Sequence, residues 1–475
     1  MNPSSLAKFD LVVLGGGPAG TSGAAAAGLL GKRVALVEKA SLVGGAGINT
    51  GTIPSKTLRE TSLMLSGWRS RKLFGVDLSL RREATVADFM RHAKQVTGSE
   101  RQRVEARLAL RGVIRFHGAA SFVDAHTIRI VNEGEEGAEK LIHGEKILIA
   151  TGSSPLRPPE FPFEDDRVHD SNEILELKAL PKKLIVIGGG VIGSEYAGTF
   201  AALGAEVHLV DARDTLMPFL DAEISRGLAD AMTANGVRFR WKEKVVKCDA
   251  SRPGDVILTL STGATLAGDG VLVCAGRCSN TETLNLAAAG LTPGKRGLIQ
   301  VGAHFESTEV PHIYGAGDAI GPPALAATGI EQARVAVFHA FGDTLKSDIT
   351  PLLPTGIYTI PEASCVGATE AALVEKQIPY VAGRARYADI PRGDIIGDDM
   401  GFLKLLFHRD DLRLLGVHVM GEQATEVVHI GLMAMMMNAT AELFNRACFN
   451  YPTLGDLYKY AAYDAILKKH KLGHS

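Results

Sequence analysis

Short apolar runs alternate with glycine-rich turns and small-residue stretches along much of this chain. Asp10-Leu11-Val12-Val13-Leu14 is apolar at consecutive positions and ends in glycines, the pattern of a parallel strand covered on both faces. Small residues from Pro18 to Leu30 predict a helix packed closely on a sheet, and Arg33-Val34-Ala35-Leu36-Val37-Glu38 predicts a second strand. The same sequence of patterns returns later. Leu184 to Ile187 reads as a strand, Gly188 to Gly204 as turn and helix, and Glu206 to Asp211 as a strand. Gly15 and Gly188 mark the two copies, 173 positions apart. This is a duplicated α/β module, not a solenoid.

A charged, helical stretch is expected from Arg81 to Arg111, followed by the apolar run Ile147 to Ala150. After the second copy comes Val271-Leu272-Val273-Cys274. Both runs end in small-residue turns, Thr151-Gly152 and Ala275-Gly276-Arg277, that suit crossings between domains. A third region begins near Pro351. There, Phe402 to Phe407 and Leu414 to Val419 flank a polar turn and predict an antiparallel hairpin. Helices are expected from Glu422 and from Thr453, with Met433, Met435, Met436 and Met437 as core filler of the first.

At 475 residues the chain is too long for one core, so several domains are expected. A net charge of -2 gives no reason to expect nucleic acid or an anionic membrane as partner. Leu11 to Gly31 carries no charge, yet it holds seven glycines and a proline, which argues against a membrane span. Met1 to Asp10 lacks the basic run of a signal peptide. The five cysteines form no C-x-x-C; Cys274 is read as a strand residue and Cys278 as lying in the following loop. No metal-ligand set is evident, and a soluble, cytoplasmic protein is expected.

Gly15-Gly16-Gly17-Pro18-Ala19-Gly20 gives G-x-G-x-x-G directly after a strand. Its chemistry is positional. Gly15 makes the tight turn, Gly17 lets backbone approach a pyrophosphate at a helix N-terminus, and Gly20 lets helix and strand pack closely. Glu38, 18 residues beyond Gly20, ends the next strand and can accept hydrogen bonds from a ribose. Gly188, Gly190 and Gly193 repeat the motif, with Asp211 again 18 residues on. Two such units imply two dinucleotides, FAD at the first and an exchanging nicotinamide at the second. Arg213 either reaches the 2′-phosphate of NADP with its fork of donors or lies on the solvated surface.

Ile313-Tyr314-Gly315-Ala316-Gly317-Asp318 resembles a second FAD motif, in which the aspartate bonds the ribityl chain. Gly45 to Arg59, ending Thr52-Ile53-Pro54-Ser55-Lys56, resembles the active-site segment of the flavoprotein disulfide reductases, with Gly47 and Thr52 at the two cysteine positions. With Pro354 to Glu362 and Phe449-Asn450-Tyr451-Pro452-Thr453, the chain is similar to that superfamily over nearly its whole length, and within it to the soluble (Si-specific) NAD(P)+ transhydrogenases.

The resemblance implies an α/β fold: two Rossmann-like FAD/NAD(P)-binding domains plus a C-terminal α+β dimerisation domain. The expected division is 1–155 for FAD, 156–280 for NAD(P), 281–350 returning to the FAD domain, and 351–475 for a homodimer interface. It implies FAD-dependent hydride transfer between NADPH and NAD+, without a redox-active disulfide. Lys56, which would approach flavin N5, Glu195 as its partner, and Tyr451, contributed across the dimer, are the candidate catalytic residues. Thr52, Thr151, Gly152, Gly276 and Arg277 join the candidate cofactor set. Asp456 is read as a first-turn helix residue, and Val191 as an open position where some relatives carry a tyrosine gate. Gly47 is expected to leave extra room on the other flavin face. That room suggests one rival, an NAD(P)H:acceptor oxidoreductase passing electrons to a quinone or oxygen. A flavin-bound, redox-responsive binding protein without turnover is the other.

Overall fold

The strand Ala7–Leu14 alternates between two cores, which is why Leu11 to Leu14 are apolar without interruption. Leu11 and Val13 pack with Ala24 and Ala27 of the helix Pro18–Leu29 and with Ala333 and Val337 of the helix Ala326–Ala340. Val12 and Leu14 pack on the opposite side with Phe122, Ile128 and Leu286. The computed structural model describes residues 6–66, 86–132 and 139–472. It divides into two compact units, one of 1–57, 90–156 and 276–350, the other of 58–89, 157–275 and 351–475.

In the first unit a sheet runs in the order Ile114–His117, Val34–Glu38, Ala7–Leu14, Glu139–Ile149, Thr127–Val131, Ala119–Phe122. The first four are parallel, and Ile313–Gly315 pairs parallel with the end of Glu139–Ile149. Thr127–Val131 and Ala119–Phe122 continue antiparallel. The long strand therefore serves a parallel layer at one end and a meander at the other. The charged helix spans Val86–Leu110; residues 81–85 of the expected stretch lie outside the described residues.

The second unit holds a parallel sheet ordered Val237–Trp241, Glu206–Asp211, Lys183–Ile187, Gly270–Val273, Val168–Asp170. Beside it is a small antiparallel sheet of Val245–Asp249, Val256–Leu260 and Thr265–Gly268. The C-terminal part carries an antiparallel sheet in which Phe402–His408 and Leu414–Gly421 form the expected hairpin. The expected helices are Ala424–Met436 and Asp456–Leu472; three shorter ones, Glu370–Glu375, Pro391–Ile396 and Ala441–Arg446, were not expected from the sequence. Of the four methionines assigned to the core, only Met435 is buried; Met433, Met436 and Met437 face outward. That helix is apolar almost all round, so its sequence periodicity does not say which side is covered. Cys278 sits in the short strand Arg277–Ser279, not in a loop.

Lys404 lies within the apolar strand Phe402–His408 and is 0% exposed. Its ammonium donates to Asp221 Oδ1 and Glu370 Oε2, each at 2.8 Å, and Glu223 is 3.3 Å away. Asp221 also caps the helix Ala222–Ala234 by accepting from the Glu223 amide. Burial, the largest single effect on each, would raise the Asp221 carboxyl and lower the Lys404 ammonium; their mutual hydrogen bond together with the other neighbouring hydrogen bonds and charges outweighs it in both cases. The Arg384 hydrogen bond, with help from Lys404, lowers Glu223 to about 2. Both acids are depressed, so their stabilisation is complete above the ordinary carboxylate range and is lost as pH falls towards about 2. Lys404→Met strands the buried Asp221 carboxylate and should cost about 3–5 kcal/mol in denaturant unfolding at neutral pH. A loss below about 1 kcal/mol would mean that these acids do not depend on Lys404.

Candidate dinucleotide sites

Each unit presents one glycine-rich turn, and the two are alike in detail. Gly15 follows the strand Ala7–Leu14 at φ +103°, and Gly188 follows Lys183–Ile187 at φ +101°. A Cβ on Gly15 would overlap the Ala150 carbonyl, and one on Gly188 the Cys274 carbonyl. A Cβ on Gly20 would overlap the Gly15 carbonyl oxygen, and one on Gly193 that of Gly188. The protein's own packing thus requires the first and third glycines of each turn. The middle glycines differ. The nearest atom to a Cβ on Gly17 is 3.8 Å away, and nothing lies within 4 Å of one on Gly190. These cap the helices Pro18–Leu29 and Val191–Ala202, and neither N-terminus has a side-chain cap. A helix N-terminus with bare backbone beside it suits a pyrophosphate.

The acids are held alike. The Gly16 amide donates to Glu38 Oε2 and the Gly189 amide to Asp211 Oδ2, both at 2.6 Å. Asp211 has a second partner. Arg213 grips it with Nε–Oδ1 at 2.8 Å and Nη2–Oδ2 at 2.6 Å, and adds its own amide at 2.8 Å. Arg213 therefore folds back instead of reaching outward, although its side chain remains 45% exposed. Burial would raise the Asp211 carboxyl, but Arg213 and the Gly189 amide outweigh it and hold it below the usual range.

Around Asp318 a second polar set assembles. Ser153 Oγ donates to Asp318 Oδ2 at 2.5 Å and accepts from Arg277 Nε at 2.7 Å, and Arg277 lies 3.9 Å from Asp318. Arg277 also donates to the Ser153 carbonyl at 2.6 Å. Asn280 donates to the Thr151 and Gly152 carbonyls through its side chain and its amide. Gln332 accepts from the Gly317 amide, which ties the helix Ala326–Ala340 to the Asp318 turn. Gly276 has φ +115° and an open Cβ direction. Thr151 Oγ1 is buried with no hydrogen-bond partner among the described residues, as a group awaiting a ligand would be.

The segment of the missing cysteines is one turn of π-helix, Ala46–Thr50, followed by the helix Thr52–Leu65. Gly47 does not open extra room in its Cβ direction. A Cβ there would overlap Pro18 Cγ, so the ring of the fingerprint proline occupies the space. Thr52 is exposed at the helix start and Lys56 is half-buried one turn on. One residue passed over in the sequence, Arg59, is buried; it donates to the Thr359 carbonyl at 2.9 Å and lies 3.2 Å from Glu362. Lys56 belongs to the first unit and Glu195 to the second. Glu195 is buried on the helix Val191–Ala202 and accepts from the Tyr358 amide at 2.9 Å. Val191 is the first residue of that helix. Tyr451 is 74% exposed, and Asp456 opens the helix Asp456–Leu472. None of the five cysteines is in a disulfide, and burial pushes the thiols of Cys248 and Cys365 up to about 11. Among the described residues no helix is long and apolar enough to cross a membrane.

The family model described as pyridine nucleotide-disulphide oxidoreductase matches residues 9–340, and that family's dimerisation domain matches residues 353–462. A soluble pyridine nucleotide transhydrogenase of Mycobacterium tuberculosis is 44% identical over 98% of this chain and 98% of its own. One from Hahella chejuensis is 40% identical over 97% and 98%. Among solved structures, the HOCl-induced flavoprotein disulfide reductase RclA of Escherichia coli, as its Cu(II) complex, is 26% identical with a TM-score of 0.86, covering 98% of this chain and 99% of that one. LpdA of Mycobacterium tuberculosis shares the fold at a TM-score of 0.88 and 24% identity, over 96% and 99%. With two matching nucleotide cradles and these relatives, the chain belongs to the pyridine nucleotide-disulphide oxidoreductase family.

Proposed function

We propose that the protein is a soluble, FAD-dependent NAD(P)+ transhydrogenase, moving hydride between NADPH and NAD+. The observation that carries this reading is the 44% identity, end to end, with relatives named for that activity. FAD, when bound at the first cradle, supplies the two-electron chemistry. The chain supplies the rest. Gly17 and the N-terminus of Pro18–Leu29 receive the FAD pyrophosphate, Glu38 its ribose, and Asp318 with Ser153 its ribityl hydroxyls. Thr151 Oγ1 is left to bond the same cofactor. Gly190 and the N-terminus of Val191–Ala202 receive the nicotinamide nucleotide. By family resemblance, Lys56 and Glu195 set the charge at the flavin and Tyr451 serves a partner subunit in a homodimer. Gly47 and Thr52 cannot form a disulfide with each other, so no thiol step enters. We place the enzyme in the cytoplasm and divide it into the FAD, NAD(P) and interface regions expected from the sequence.

The acceptor-oxidoreductase reading needs a space beside Gly47, and the Pro18 ring fills the Cβ side of that residue. Comparing NADPH consumption with thio-NAD+, a quinone and no acceptor decides between the two. Transhydrogenation requires the thio-NAD+ rate to dominate; a quinone rate that exceeds it would overturn the proposal.

The Asp211–Arg213 pair explains how one cradle serves both nucleotides. The ribose diol of NAD competes with Arg213 for Asp211, whereas the 2′-phosphate of NADP draws Arg213 away. Arg213→Ala should weaken NADP(H) by roughly 1.5–3 kcal/mol, the worth of one charge-assisted hydrogen bond. NAD(H) should bind unchanged or more tightly. Equal losses in titrations of both nucleotides would return Arg213 to a structural role.

A further inference from the structure

His304, Glu306 and His339 of the first unit bring one ligand atom each to within 4.8 Å of one another. We infer that they form a binding site for a divalent first-row transition ion, of which Zn2+ is the probe, and that Tyr314 positions it. His304 and Glu306 share a tight turn in which the Gly302 amide donates to the Glu306 carbonyl at 2.7 Å. Two residues apart in that turn, they point to the last turn of the helix Ala326–Ala340, where His339 stands. The two imidazole rings lie parallel, 4.3 Å between centroids.

Three further facts point to a ligand. Tyr314, buried beneath, meets His339 Nδ1 through its hydroxyl at 3.1 Å, which leaves Nε2 as the ring's available nitrogen. Glu306 is half-buried, and its carboxylate accepts the His304 amide at 2.9 Å. Among the described residues neither Lys nor Arg pairs with that carboxylate, and the His304 ring nitrogens make no hydrogen bond to protein. Two imidazoles and a carboxylate are a donor set for Zn2+ and its neighbours, and the hydroxyl behind His339 is the outer support such a ligand has. The rings must rotate out of their parallel stack to aim both nitrogens at one ion. Both side chains are at least partly exposed and have room to do so. A bound ion would tie the end of the helix that carries Gln332 to the 302–306 turn.

The test is equilibrium dialysis of chelator-treated, tag-free holoenzyme against Zn2+, with metal and flavin quantified together. About one Zn2+ per FAD is expected, accompanied by a rise in Tm and unchanged transhydrogenation. His339→Ala and Glu306→Gln should each lose that zinc while retaining FAD, and Tyr314→Phe should bind it about tenfold more weakly. Zinc-edge absorption of the wild-type complex should show two imidazoles in the first shell and guards against a variant that fails to fold. Wild-type protein that takes up no zinc would overturn the site. So would variants that bind as much as wild type, or a first shell without two imidazoles.

Discussion

Gly20→Ala should purify colourless, while Gly193→Ala should purify yellow and stay oxidised when NADPH or NADH is added anaerobically. The two substitutions add the same methyl group at the same place in two copies of one turn. In each, the new Cβ would overlap the carbonyl oxygen of the first glycine, and backbone on both sides cannot give way. The helix must then separate from its strand, and its N-terminal amides leave the cradle that Gly17 or Gly190 keeps open. Because each turn lies in its own unit, the losses should separate cleanly: flavin for the first, reduction by nucleotide for the second. Flavin absorbance per chain and anaerobic spectra read both outcomes. If Gly193→Ala lost the flavin and Gly20→Ala kept it, the assignment of cofactor to cradle would be reversed.

Lys56→Met should retain FAD and slow its reduction by NADPH by roughly 10²–10³-fold, the usual cost of removing one group that stabilises developing charge. Lys56 is half-buried one helical turn beyond Thr52, and methionine keeps the length of the chain while deleting the cation. The flavin should also become harder to reduce, so its midpoint potential should fall. Stopped-flow reduction and potentiometry separate this from a packing defect, which would lower flavin content and leave the potential alone. An unchanged single-turnover rate would make Lys56 a structural residue.

The duplicated module was legible in the sequence because glycines whose Cβ positions are occupied by backbone cannot be replaced, and buried parallel strands read as unbroken apolar runs. The hairpin was legible by its polar turn. What stayed hidden depends on distant partners. Lys404 interrupts an apolar run, and its partners Asp221 and Glu370 are distant in sequence. The three outward methionines sit on a helix too uniformly apolar to reveal its faces. Arg213 could equally have pointed away; only the fold of its own turn lays it on Asp211. Gly47 suggested a space that Pro18, 29 positions earlier, fills. His304, Glu306 and His339 met only when a helix end arrived beside a turn.

The most direct test of thiol-free transhydrogenation is a stoichiometry. Holoenzyme is alkylated until its five thiols are blocked, then given NADPH and thio-NAD+ without oxygen. Gly47 and Thr52 leave no thiol in the segment where the resemblance places the reductases' cysteine pair, so about one thio-NADH should form per NADPH consumed, at a rate close to that of untreated enzyme. Activity lost in step with alkylation, or NADPH consumed without thio-NADH appearing, would contradict it.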